Sequence, residues 1–139
     1  MLLLDTPVLV WAVEGDERRI GRQARRLIEH AESTGAVAVS PVTLFEITAL
    51  HVAGRLRLAR PVERWIRESL EDTDIRIAEL SPASAVDAGH IPRTALEDPA
   101  DRLLVATARH LDAVFLTADT RVLDYASKTR NVRVHDARR

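Results

Sequence analysis

At 139 residues, 46% of them hydrophobic, the chain is long enough to bury a core and short enough to form one domain spanning 1–139. It has no cysteine, which excludes both a disulfide framework and a thiolate metal site. The net charge of −1 gives no general nucleic-acid signal. No apolar run approaches the ~20 residues of a membrane span, so a cytoplasmic location without membrane contact is expected.

The opening Leu2 to Leu4 reads as a short buried strand ending at Asp5, with Thr6-Pro7 opening a helix that carries Val8, Leu9 and Trp11. By itself, Asp5 is adequately explained as the cap of that helix. Glu17 to about Thr34 has the spacing of one amphipathic helix, with Ile20, Ala24, Leu27, Ile28 and Ala31 on one face and Gly35 at its end. Its arginines, Arg18, Arg19, Arg22, Arg25 and Arg26, fit a solvated face, although arginine is also the better side chain for bidentate phosphate contacts. Lys128 is the only lysine.

Ala36 to Val39 is a second strand. Ser40-Pro41 then supplies a capping serine and a proline at the first helical position. Glu46 lies inside this helix, on the face formed by Val42, Ala49, Leu50 and Ala53, with no basic residue three or four positions away. A carboxylate on an apolar stripe is costly unless it is paired, protonated or bound to a cation. A distant arginine is one partner to consider.

Gly54 marks a turn, and Pro61 opens a helix with Trp65, Ile66 and Leu70. Ile75 to Leu80 reads as a third strand, and Ser81-Pro82 caps a short helix ending near Gly89. Asp98-Pro99 starts a helix in which Leu104, Val105 and Ala108 follow Asp101 at i+3, i+4 and i+7, placing this acid on the apolar side. Ala113 to Leu116 is a fourth strand that delivers Thr117 and Asp119. A brief helix with Val122, Leu123 and Tyr125 follows, then a strand at Val132 to Val134 and a tail, Asp136 to Arg139, expected to fray.

Strands alternating with helices predict an α/β domain, a parallel sheet with helices on both faces. In such sheets, sites form outside the carboxyl ends of the strands. Asp5, Glu46, Asp101 and Asp119 all converge on that edge. Single caps explain Asp5, Asp98 and Asp119 one at a time but leave the coincidence unexplained. So many acids in one place repel one another unless a divalent cation sits among them, and oxygen donors without cysteine point to Mg²⁺ or Mn²⁺.

LLLDTPVLVW, SPVTLFEI, DPADRLLVATA and FLTADTRVLDY, in that order, resemble the PIN-domain family, and within it the VapC ribonuclease toxins of toxin–antitoxin pairs. The resemblance implies a three-layer α/β/α domain with a central parallel sheet of about five strands. It places the acidic, metal-holding catalytic site on Asp5, Glu46, Asp101 and Asp119. Asp98, Thr6 and Thr117 become supporting members of the pocket. It further implies a metal-dependent endoribonuclease cutting structured RNA such as tRNA or rRNA, restrained by a VapB-type antitoxin and paired as a homodimer. Arg102 and Arg121 are candidates for contacts to the RNA backbone. Two departures concern substrate preference and leave the acids intact: Pro7 stands where many relatives have histidine, and Leu96-Glu97 where many have a histidine before the DP pair.

Two other classes compete with this reading. A phosphotransfer receiver or aspartyl-phosphate phosphatase fits poorly, because the first strand supplies one acid and Pro7 occupies the position of the second. A catalytically silent module that binds a partner helix through Trp11, Trp65, Leu56 and Leu58 remains the alternative, but it gives no reason to bury Glu46.

Overall fold

The computed structural model describes all residues, 1–139. Five parallel strands form one sheet: β1 (Leu2–Leu4), β2 (Val37–Val39), β3 (Arg76–Ile77), β4 (Val114–Thr117) and β5 (Arg133–Asp136), in the order β3-β2-β1-β4-β5. Seven helices connect them: α1 (Thr6–Val13), α2 (Arg22–Ser33), α3 (Pro41–Val52), α4 (Val62–Glu71), α5 (Pro82–His90), α6 (Pro99–His110) and α7 (Thr120–Thr129).

Every strand of a parallel sheet alternates side chains between two covered faces, and the core divides accordingly. Leu2, Leu4, Val37, Val39 and Leu116 meet α1, α2 and α4 through Leu9, Ile28 and Trp65. Leu3, Ala38 and Phe115 point the other way, against Leu104 and Val105 of α6 and Val122 and Tyr125 of α7. This is the three-layer arrangement the alternating pattern predicts. Because β1 and β4 are central and adjacent, Asp5 and the residues following Thr117 leave the sheet side by side.

Three expectations are corrected. The arginine-rich stretch is not one helix. Glu17–Arg19 is a single 3₁₀ turn, Ile20 is extended, and α2 begins only at Arg22. Gly21 sits at the break, where its N–H donates to Ala137 C=O at 2.8 Å. The third strand is two residues long and solvent-exposed rather than six residues long, because it pairs on one side only, at the sheet edge. The tail does not fray: Ala137 is fully buried, and Ala24 N–H donates to Arg139 C=O at 2.9 Å. A β-carbon on Gly21 would collide with the backbone of Arg139, so a glycine here is what allows the two segments to touch.

Candidate functional site

Three of the strand-to-helix junctions lie at the carboxyl edge of the sheet, and each begins its helix with an oxygen-bearing cap. Asp5 Oδ1 accepts from Thr6 N–H at 2.8 Å, Ser40 Oγ from Val42 N–H at 3.0 Å, and Asp119 Oδ1 from Arg121 N–H at 2.8 Å. At the start of α6, which runs in from the loop, Asp98 Oδ1 accepts from Ala100 N–H at 2.9 Å. Capping occupies one oxygen of Asp98 and Asp119 and leaves the other available. The capping and pocket readings of these residues are therefore both satisfied by the same side chains.

Hydroxyls position the buried acids. Asp5 is nearly inaccessible to solvent, and its second oxygen accepts from Thr117 Oγ1 at 2.6 Å. Thr117 Oγ1 in turn accepts from Asp119 N–H at 3.0 Å, so one buried threonine fixes two acids. Across the cleft, Thr6 Oγ1 lies 2.7 Å from Glu46 Oε1 and 3.2 Å from Thr43 Oγ1. Its single proton goes to the carboxylate. Glu46 thus satisfies its apolar-face position through a threonine, with no arginine involved.

Asp5, Thr6, Glu46, Asp98, Asp101, Asp119 and Arg121 line one cleft of about 430 Å³, together with Trp11. Asp101 accepts no hydrogen bond that would stabilise its charge, and its pKa is pushed up to about 7. Burial is the main cause, followed by the charges of Asp119, Asp98, Asp5 and Glu46. Burial also raises Asp5 and Glu46, against the hydrogen bonds from Thr117 and Thr6 that lower them.

All seven sequence-derived pocket positions, Thr117 included through its bond to Asp5, are brought together. Of the two arginines, Arg121 lines the cleft and Arg102 does not; its Nε is buried without a partner. Trp65 is fully buried and donates from Nε1 to Glu14 Oε1 at 2.9 Å, so it is a core residue. Trp11 stays partly exposed. Thr43 was not anticipated, though its position three residues before Glu46 puts it on the same helix face.

The PIN domain family matches residues 2–128 of the chain. This chain belongs to the PIN-domain family. It is homologous to ribonuclease VapC22 of Mycobacterium tuberculosis (strain ATCC 25618 / H37Rv), with 33% identity over 121 residues, covering 87% of this chain and 88% of that protein. In fold it is similar to VapBC2 from Rickettsia felis bound to a promoter DNA fragment (TM-score 0.65, 16% identity, 97% of each chain). DNA-bound VapBC from Salmonella typhimurium matches at TM-score 0.66 and 19% identity, over 97% of this chain and 96% of that one.

PIN nucleases are generally metal-dependent. In this PIN domain, no three acidic or histidine side chains are already gathered tightly enough to enclose an ion. The carboxylates lining the cleft are oxygen donors, the kind a hard cation takes. The all-oxygen donor set and the raised pKa of Asp101 fit the same group: a carboxyl whose charge is opposed by its neighbours gains most from an adjacent positive ion.

Proposed function

We propose that this PIN domain is a Mg²⁺-dependent endoribonuclease of the VapC type, with Mn²⁺ as a substitute ion, hydrolysing phosphodiester bonds in structured RNA such as tRNA or rRNA. The observation that carries this reading is the convergence of Asp5, Glu46, Asp101 and Asp119 in one cleft, with Asp101 driven to a pKa of about 7 by burial and by the charges around it.

A bound divalent cation would supply the Lewis acidity for hydrolysis and offset the charge gathered on the phosphodiester. Asp5 would be the fixed ligand, since both of its oxygens are oriented by hydrogen bonds. Asp101 and Asp119 would complete the ion's protein contacts, and Glu46, held by Thr6, would face it from α3. Asp98 supports the pocket at the start of α6, and Arg121 is the candidate for a phosphate contact. The acids also repel RNA while no cation is present, which ties substrate binding to ion loading.

A VapB-type antitoxin is the proposed restraint. The half-buried Trp11, Leu56 and Leu58 line a groove adjoining the cleft and offer apolar surface to it. The exposed Phe45, Ala49 and Val52, at i, i+4 and i+7 on α3, support burial of a second surface, and a homodimer is the proposed assembly.

The test is incubation of total cellular RNA with the purified protein in Mg²⁺, in EDTA, and as Asp5→Asn. Discrete fragments confined to the Mg²⁺ lane of the parent are expected. Equal cleavage by Asp5→Asn, or cleavage that survives EDTA, would overturn the reading.

A further inference from the structure

The tail and the start of α2 are joined by two backbone hydrogen bonds, and together they collect charge. Residues 16–26 hold five arginines against two acids, and residues 136–139 two arginines against one. This is a local excess of four positive charges in a chain whose net charge is −1. Arg18, Arg22, Arg25, Arg138 and Arg139 are all exposed. Arg25 meets Glu17 only at 3.8 Å, Arg138 and Arg139 share the single Asp136, and Arg18 and Arg22 have no acidic partner.

Like charges brought together this way repel, and the acids nearby pair with only some of them, leaving Arg18 and Arg22 unpartnered. Yet the arrangement is specifically built. Gly21 N–H donates to Ala137 C=O, Ala24 N–H donates to Arg139 C=O, and only a glycine at 21 leaves room for Arg139.

The cluster is also tied to the cleft. Ala137 N–H donates to Thr117 C=O at 2.8 Å, and the Thr117 hydroxyl holds Asp5. The tail is thus one backbone hydrogen bond, and the start of α2 two, from the threonine that holds Asp5 in the acidic cleft, on the same carboxyl edge of the sheet. The planar guanidinium fork matches phosphate oxygens bidentately.

Building on the nuclease reading above, we propose that this arginine cluster is a docking surface for the phosphodiester backbone of the RNA substrate, gripping the strand beyond the scissile bond. Attraction here offsets the repulsion between the acidic cleft and RNA, so the cluster sets affinity while the cleft carries the chemistry.

Binding of unfractionated transfer RNA to the full-length Asp101→Asn protein, followed across a KCl series, tests this. The triple variant Arg18→Gln/Arg22→Gln/Arg139→Gln is compared with a control, Lys128→Gln/Arg130→Gln/Arg133→Gln, which removes three charges elsewhere on the surface. Loss of three phosphate contacts should flatten the log–log salt dependence by about 2–3 and weaken binding by about tenfold or more near 100 mM salt. The control should change affinity less than about threefold. On the otherwise unmodified protein, the cluster variant should raise KM for cleavage and preserve kcat.

Unchanged affinity in the cluster variant, with the parent binding well, would overturn the docking surface and leave the nuclease intact; an acidic protein segment would then be the better occupant. Equal losses in both triple variants would also overturn it, by showing that only overall charge matters. A parent that neither binds nor cuts RNA would remove both readings together.

Discussion

Asp101→Asn should stabilise the cation-free protein while abolishing its cleavage of RNA. The unfolded carboxyl ionises near 3.8, but in the folded cleft it ionises near 7. The folded state therefore binds more protons across that window, and this group's contribution to stability falls as pH rises through it. The gap corresponds to ~4 kcal/mol at most. Asp101 is partly exposed, and screening by solvent reduces this to about 1–2 kcal/mol. Asparagine has the same shape and no charge. For a chain of this length the gain amounts to a rise in Tm of about 3–7 °C. It should be full above pH 7 and shrink as pH falls toward 3.8. Thermal unfolding followed by circular dichroism in EDTA, at pH 8 and pH 5, reads it directly. A variant no more stable than the parent at pH 8, or one equally stabilised at both pH values, would refute the claim that burial and neighbouring charge oppose the ionised Asp101.

Mg²⁺ should act in the same sense, raising the Tm of the parent, but should leave Asp101→Asn nearly unmoved. At a hundredfold excess over Kd the stabilisation is about 2.7 kcal/mol, and a thermal-shift titration reversed by EDTA measures it. Thr117→Val removes the donor to Asp5 and the acceptor for Asp119 N–H. It should lower Mg²⁺ affinity or cleavage about 10- to 100-fold with the helix content retained, as read by calorimetry, gel assay and circular dichroism. Gly21→Val drives a side chain into the backbone of Arg139 and should cost about 1–3 kcal/mol in urea unfolding. It should also expose the residues after Asp136 to limited proteolysis.

The parts of the fold that local chemistry dictates could be read from sequence. Asp5-Thr6-Pro7, Ser40-Pro41 and Asp98-Pro99 each announce a helix start through a cap and a proline, and all three helices begin there. The acids were legible because carboxylates at helical spacing with apolar residues are costly without a purpose. Contacts between distant segments were not legible. Seventeen to thirty-four has an unbroken helical period, and only the arrival of the tail shows why Gly21 interrupts it. Ile75 to Leu80 is apolar enough for a strand, yet its neighbours supply a partner on one side only, so two residues pair. Arg102 and Arg121 are both near the α6 and α7 starts in sequence. Which one reaches the cleft depends on helix rotation, and this favours Arg121.

The choice of partner for the buried acids carries its own argument. Glu46 on an apolar face and Asp5 in the core are each costly to bury, and an arginine would be the common remedy. The chain has nineteen arginines to draw on, yet Thr6 holds Glu46 and Thr117 holds Asp5. A hydroxyl orients a carboxylate without cancelling its charge. An arginine in either position would orient it equally well, neutralise it, and so weaken the attraction for a cation. Hydroxyl support therefore preserves the negative potential of the cleft at a cost in stability, visible in the raised pKa values of Asp5, Glu46 and Asp101. Seven of the arginines gather instead around Gly21 and the tail, outside the cleft but joined through Ala137 to Thr117, which holds Asp5. Arg121 is the one arginine lining the cleft, and keeping the others outside it would leave room there for a cation.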